Sequence, residues 1–302
     1  MKQNIGVLET LSSCPLCSGT KFNLFISCKD YTVSHETFQI VQCESCGFKF
    51  TNPRPIEETI AKYYHSSDYI SHSNSSKGII NSLYQIARKF TISKKVSLIK
   101  SVKPEGKTIL DYGCGTGEFL HAIKKAGWRT KGIEPNPEAR IFAKSNYLVE
   151  VFEPSEINSF PAKSFDVITL WHVLEHVHKL DETIDSFKKL LNDNGILLIA
   201  VPNSNASESN TYHGFWAAYD VPRHLYHFSS ESITQLFKKH QMQLLKIFSM
   251  PLDAFYVSML SEKYRRSSFG FLKGIFNGAK TNLNSFSDKN NSSSLIFILE
   301  KI

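Results

Sequence analysis

The stretch Ile109-Leu110-Asp111-Tyr112-Gly113-Cys114-Gly115-Thr116-Gly117-Glu118-Phe119-Leu120 reads as a short β-strand, a glycine-rich turn and the start of a helix. Glycines permit a tight turn and let a ligand approach the backbone, while the helix N-terminus offers free N–H groups. The turn is not a dinucleotide fingerprint, because Glu118 stands where the third glycine of G-x-G-x-x-G is required. Nor does a Gly-Lys-Ser/Thr run follow to make a phosphate loop. Carboxylates at Asp111 and Glu118 would repel a pyrophosphate, so the turn suits a ligand with a cationic part.

Outward from this turn, from Thr108 to about Phe248, short apolar runs alternate with amphipathic helical segments. Strands are expected at Thr108–Leu110, Thr130–Glu134, Phe165–Leu170, Gly195–Val201 and Leu244–Phe248, and helices from Glu118, Pro137, Leu180 and Ser230. Such alternation predicts an α/β, doubly wound, mostly parallel sheet. The β-rich run Ser294–Leu299 is placed to pair with Leu244–Phe248 after an excursion of roughly 45 residues, a length that usually carries function.

The chain has 302 residues, enough for about two domains. With 41% hydrophobic and 21% charged residues it has the apolar content of a folded protein and not of a disordered polymer. No apolar run is long enough to span a bilayer, and Met1–Glu9 lacks the apolar segment of a secretory signal, so a cytoplasmic location is expected. A net charge of +7, dispersed along the chain, is too mild to establish nucleic-acid binding.

Five of the six cysteines lie in the first fifth of the chain. Cys14-Pro15-Leu16-Cys17 and Cys43-Glu44-Ser45-Cys46 form two C-x-x-C knuckles, with strand-like runs Phe22–Ile26 and Phe38–Gln42 between them. Two such knuckles complete a closed tetrahedral four-thiolate site, which suits a structural Zn²⁺. A block this small has too little core to fold unaided, so the ion would supply stability and not chemistry. Cys28 has no partner pair and is not expected to be a ligand. The expected organisation is a zinc ribbon over 10–55, a helical connector over 56–104 that includes the Ser-rich stretch 66–77, and a main domain over 105–302. Insertions in the main domain are expected at about 204–228 and 251–291.

Seventeen residues beyond Gly117, Ile133-Glu134-Pro135-Asn136 ends the second strand of the main domain with a carboxylate where ribose hydroxyls are held in such sheets. The pattern Asp-x-Gly-x-Gly-x-Gly plus this glutamate resembles the class I S-adenosylmethionine-dependent methyltransferases, over about residues 105–250. The match continues through Ser164–Ile168 as the fourth strand, then Trp171–Val177, and Asn194–Ile199 leading to Val201-Pro202-Asn203. The resemblance implies a seven-stranded Rossmann-like sheet and S-adenosyl-L-methionine as cofactor. It places the methionine part on Asp111 and the turn Gly113, Cys114, Gly115 and Gly117, the ribose on Glu134 and the adenine near Ser155-Glu156, with Trp171 among the cofactor residues. A zinc ribbon ahead of such a core resembles sugar C-methyltransferases.

Methyl transfer needs an in-line nucleophile and commonly removal of its proton, work suited to a histidine. His172, His176 and His178 follow the fourth strand, and His224 and His227 lie in Asp220–Ser229, which resembles a substrate-side loop of the same group. His172, at the carboxyl end of a strand, is the first catalytic candidate and His224 the second. His172-Val173-Leu174-Glu175-His176 also spells H-x-x-E-H, in which two histidines on one helix face would bind zinc. Some ubiquinone-type methyltransferases carry E-x-x-E-H at this place and bind a divalent ion; here His172 replaces the first glutamate.

The expected acceptor is a small molecule, such as a sugar nucleotide, polyketide or lipid precursor, methylated on carbon or oxygen. An RNA or protein acceptor recognised by the ribbon is an alternative, against which the ribbon has no dense Lys/Arg cluster. A non-catalytic, zinc-stabilised partner protein is a third reading. Within 251–291, Tyr264–Phe276 mixes basic and apolar residues, as in a peripheral membrane contact, a lid, or a packed insertion with a solvated basic face.

Overall fold

The computed structural model describes residues 7–64 and 79–302. Strands β1 (Leu8–Glu9), β2 (Phe22–Lys29), β3 (Thr37–Cys43), β4 (Lys49–Thr51) and β5 (Arg54–Pro55) come first. The helix α1 (Ile79–Val102) follows as one 24-residue element. The Ser-rich stretch 66–77 lies outside the described residues. Next come β6 (Thr108–Tyr112), α2 (Glu118–Lys125), β7 (Arg129–Ile133), α3 (Pro137–Tyr147), β8 (Glu150–Phe152), β9 (Phe165–Trp171), α4 (Leu180–Leu190) and β10 (Leu191–Pro202). The chain ends with α5 (Ser207–Tyr212), β11 (Tyr226–His227), α6 (Ser230–Lys239), β12 (Met242–Ser249), α7 (Pro251–Arg265), α8 (Gly270–Ser287) and β13 (Ser294–Lys301).

The main sheet has seven strands in the order β12-β13-β10-β9-β6-β7-β8. Its pairs are parallel from β10 to β8, while β13 runs antiparallel to both β10 and β12. Leu244 faces Leu299 in that last pair, as the sequence predicts. Central strands read as unbroken apolar runs because helices cover both faces of the sheet. Ile109, Leu110, Val167, Ile168 and the run Leu197–Val201 are accordingly buried.

Local chemistry sets the element ends. Asn136 caps α3 by accepting from the N–H groups of Glu138 (2.8 Å) and Ala139 (3.2 Å), and Pro137 occupies the first helical turn. At the opposite edge of the sheet, Asp166 Oδ2 accepts from Lys107 N, Thr108 N and Thr108 Oγ1, which locks β6 against β9. The carboxyl ends of β6, β7, β9 and β10 are thereby aligned along one edge, the position where ligands bind in such sheets.

The N-terminal strands do not stand apart from this edge. Their sheet, in the order β11-β4-β3-β2, takes its outer strand β11 from the segment after β10. Phe48 packs on Tyr226 (ring centroids 5.9 Å apart) and Phe228 (5.6 Å), and Thr51 Oγ1 donates to the His224 carbonyl at 2.7 Å. The buried Arg223 closes the junction, pairing with Asp30 of the N-terminal block at 3.2 Å and with Asp220 at 2.6 Å. Its Nη1 donates to the Tyr63 carbonyl at 2.9 Å.

Truncating Arg223 to Ala would leave the buried Asp30 and the partly buried Asp220 without their cation, at a cost of about 3 kcal/mol in a denaturant titration. Burial alone would raise the Asp220 carboxyl, but the Arg223 guanidinium outweighs it and holds the group at about 2 against an ordinary 3.8. Its share of stability is therefore complete above pH 3.8 and lost as pH falls towards 2. The Arg223→Ala protein should lack that acid-dependent component.

Candidate functional site

The glycine turn after β6 is held open by a carboxylate. Gly115 N donates to Glu134 Oε2 at 2.9 Å and Asn136 N donates to Glu134 Oε1 at 2.9 Å, so Glu134 clasps the turn and keeps one lone pair free on each oxygen. Gly113 has φ +77° and a Cβ there would fall 2.4 Å from Val173 Cγ2, so no other residue fits. An added Cβ on Gly115 meets nothing within 4 Å, which marks the open face of the turn.

Asp111 lies beneath, 3% exposed, and accepts from Thr169 Oγ1 at 2.6 Å. Burial pushes its carboxyl up to about 7, against the Thr169 bond and the Lys95 charge and with the help of Glu134. Lys95 of α1 sits 4.2 Å above the Trp171 ring, and burial lowers its own pKa against the pull of Asp111 and Asp253. The indole Nε1 of Trp171 is buried without a hydrogen-bond partner, a donor still to be satisfied. Two carboxylates, an ammonium, an unpaired indole N–H and an open glycine backbone make a cradle for a ligand bearing both charge signs and hydroxyls.

Two expected cofactor residues are placed differently from the rest. The Cys114 thiol packs with Leu120, Ala143 and Val149, so only its backbone belongs to the turn. Glu156 is exposed and its Oε2 accepts from Glu153 N at 2.9 Å, capping the short helical turn Pro154–Ser159.

The histidines gather on the same edge. His172 has φ +58° and lies between two carboxylates, with Nε2 3.0 Å from Asp253 Oδ2 and Nδ1 3.5 Å from Glu175 Oε1. Burial would favour neutral imidazole, but Asp253 and Glu175 outweigh it and raise the pKa to about 10. At neutral pH His172 is therefore an imidazolium. His224 Nδ1 donates to the Ala218 carbonyl at 2.9 Å, and its Nε2 lies 4.0 Å from Glu175 Oε1 and 3.9 Å from Asp220 Oδ2. His176, 4.7 Å from His224 between ring centroids, contacts the Arg223 carbonyl and the Tyr64 hydroxyl through Nδ1. Burial and the His224 charge lower its pKa to about 4.

Glu175 is fully buried and neither of its oxygens has a hydrogen bond. Burial disfavours its charge, but the neighbouring His172 outweighs it and holds the carboxyl below its ordinary value. The donor atoms of Glu175, His176 and His224 lie within 4.8 Å of one another, a grouping able to relay a proton or accept a divalent ion. His172 and His176 do not share a helix face, because only a short turn, Leu174–His176, separates β9 from α4. The H-x-x-E-H reading therefore lacks its helix.

Lys95 and Asp253 belong to the cluster and are absent from the sequence reading, and Asp220 entered it only as the first residue of the loop Asp220–Ser229. Asp253 carried a usable signal, since it follows Pro251 at the carboxyl end of β12. Lys95 carried none, as one lysine among many on an amphipathic helix.

The four knuckle cysteines also converge. Cys14 Sγ lies 3.6 Å from Cys46 Sγ and Cys17 Sγ 3.6 Å from Cys43 Sγ, with all four sulfurs within 4.8 Å. Cys28 is buried elsewhere and its thiol is pushed up to about 12 by burial.

A family model described as a methyltransferase domain matches residues 83–247, more than half of the chain. Ubiquinone biosynthesis O-methyltransferase of Actinobacillus pleuropneumoniae is 37% identical over 109 residues, covering 32% of this chain and 47% of the relative. The protein of the same name from Pelagibacter ubique is 32% identical over 125 residues, 39% and 49% of the two chains. The chain thus spans about half the length of these curated relatives. Among solved structures, magnesium protoporphyrin IX methyltransferase from Synechocystis PCC 6803 with bound SAH shares the fold at TM-score 0.53 and 12% identity, over 82% of this chain and 100% of that one.

Replacing Asp253 by Asn should lower the His172 pKa from about 10 by about one to three pH units, because one of its two anionic neighbours becomes neutral. A histidine NMR titration of both proteins measures the change, and an unmoved His172 would contradict the pairing.

Proposed function

The chain belongs to the methyltransferase-domain family, and on that premise we propose that it transfers a methyl group from S-adenosylmethionine to an oxygen or carbon of a small-molecule acceptor. One observation carries the reading: buried Asp111 and Glu134 flank a glycine turn whose Gly115 face is open, at the carboxyl edge of the sheet. When bound there, the cofactor supplies a methyl group activated by a sulfonium.

Glu134 has lone pairs left for ribose hydroxyls while it still holds Gly115 and Asn136. Asp111 offers a carboxylate to the methionine ammonium, whose charge would favour the ionised form of a group otherwise poised near 7. Lys95 gives the methionine carboxylate a cation in the same cradle, and Trp171 supplies its unpaired N–H. His172, held as an imidazolium with one ring nitrogen facing Asp253 and the other facing Glu175, is a positioning residue that fixes Glu175 beside His224. His224, its ring anchored by the Nδ1 bond to the Ala218 carbonyl, is the group assigned to take the acceptor proton at Nε2, and Glu175, 4.0 Å away, would stabilise the charge that forms.

Oxygen as the accepting atom is supported by the stretch shared with the ubiquinone biosynthesis O-methyltransferases. Sugar nucleotides, polyketides and lipid precursors remain the acceptor classes to screen. We assign Cys14, Cys17, Cys43 and Cys46 to a structural zinc ion: Zn–S bonds of about 2.3 Å at tetrahedral angles put sulfurs about 3.8 Å apart, near the 3.6 Å found for two of the pairs.

Calorimetric titration of S-adenosylhomocysteine should give saturable binding that weakens about 10- to 100-fold in Glu134→Ala, the loss expected for charge-assisted hydrogen bonds. No binding to a folded sample would overturn the reading. Metal analysis should find one zinc per chain in the wild type and little in a Cys14→Ser/Cys43→Ser double variant, which should also melt at lower temperature. Full zinc content in that variant would reject the four-thiolate site.

A further inference from the structure

Helix α8 is amphipathic in the reverse sense. Surface helices ordinarily bury their large apolar residues and expose polar ones. Here the inward face is made of small residues: Gly274, Gly278 and Thr281 are the buried positions. A Cβ on Gly274 would fall 2.6 Å from Met259 Cα, and one on Gly278 would fall 2.8 Å from Phe255 Cα, so the backbones of α7 and α8 nearly touch. The large apolar residues Phe271, Leu272, Ile275, Phe276, Leu283 and Phe286 all face outward, with Phe286 87% exposed. Phe269, at the corner between the helices, is 80% exposed and extends the patch.

The charges on α8 itself have one sign, and the first acidic residue after it is Asp288 at its C-cap, whose Oδ1 accepts from Asn290 N. Arg265, Arg266, Lys273 and Lys280 lie in or beside α8, and no Asp or Glu occurs between Arg265 and Ser287. An open cleft of about 520 Å³ brings Arg265 and Lys273 beside Leu272 and Phe276, a cationic wall next to an apolar one. Glu262 also lines this cleft, but it is buried and bonded to Asn277 at 3.3 Å.

We propose that the α7–α8 hairpin docks on an anionic lipid surface, with the aromatic and aliphatic side chains of α8 entering the headgroup boundary and its lysines and arginines pairing with lipid phosphates. Apolar burial combined with attraction to anionic headgroups is how such helices bind a bilayer in its plane. Among the described residues no helix is long and apolar enough to cross a membrane, consistent with lying on the surface. A second copy of the chain is the poorer occupant. Two such faces brought together would juxtapose Lys273, Lys280 and Arg265 with their own kind and offer no carboxylate in return, whereas a lipid surface supplies the anions. The docking is independent of the proposed reaction, although Asp253, in the first turn of α7, ties the hairpin to His172.

The test is co-sedimentation of the purified chain with vesicles of equimolar phosphatidylglycerol and phosphatidylcholine, beside vesicles of phosphatidylcholine alone. Wild type should bind the anionic vesicles, bind the neutral ones about tenfold or more weakly, and release as salt is raised. Phe271→Ser/Phe276→Ser/Phe286→Ser and Lys273→Glu/Lys280→Glu should each lose about tenfold or more in vesicle affinity. These positions are exposed, so the melting temperatures should match wild type. Should a variant melt early, the wild-type comparison of the two vesicle types decides alone. Absence of binding, equal binding to both vesicle types, or undiminished binding by well-folded variants overturns the proposal. So does a wild-type dimer in sedimentation velocity that the triple Phe variant converts to monomer, which would assign the face to a second copy.

Discussion

A single buried guanidinium holds the two halves of this protein in register. Arg223 reaches Asp30 on one side and Asp220 on the other, while its carbonyl contacts His176. Removing a charge of this kind from water is costly unless every partner is in place, so the arrangement tolerates little displacement. Because His224 follows Arg223 directly and contacts Ala218 through its own side chain, the residue that fastens the N-terminal sheet also helps to place the histidine assigned as proton acceptor in the proposed reaction. The N-terminal block is thus part of the site's scaffold. Its strand β4 pairs with β11, three residues after Arg223, so the same short segment completes two structures.

The cluster on this edge gains its character from unequal environments. Three histidines share one buried glutamate and differ in protonation. His172 has two carboxylates and keeps its proton to about pH 10; His176 has burial and a neighbouring histidine and loses its proton near pH 4. Groups whose environments push their pKa values apart divide acid and base roles between them. The left-handed backbone of His172 is consistent with this division, since strain at a non-glycine residue persists only where surrounding contacts over-determine it.

Much of this was legible in the sequence because the signals were local. The strand-turn-helix at 109–120, Glu134 ahead of Pro135, and the two C-x-x-C knuckles each compress a structural role into a few residues. The pairing of β12 with β13 was readable for a different reason: a β-rich run after a long excursion has few places left to go. What was not legible came together from a distance. Lys95 lies on a helix that precedes the domain core, and Asp253 opens a helix past the last parallel strand, so no spacing rule connects either to Asp111 or His172. Glu156 adds a second, local role that its position alone did not reveal, because one of its oxygens caps its own turn.

Helix α8 shows how a local violation of folding rules identifies where other constraints act. Gly270, Gly274 and Gly278 recur at every fourth position, and each interior glycine costs a helix about 1 kcal/mol relative to alanine. That cost is offset by the close approach to α7, which anchors the helix through backbone proximity and leaves its large side chains unspent. A sequence selected only for stability would turn Phe271, Phe276 and Phe286 inward and place the small residues outside. The reversal is consistent along the helix and accompanied by charges of one sign, so it has the pattern of a surface adapted to an apolar, anionic environment and not that of a packing defect. Helix α7, against which Gly274 and Gly278 of α8 pack, carries Asp253 in its first turn, so the outward face of α8 and the His172 ion pair lie on one helical hairpin.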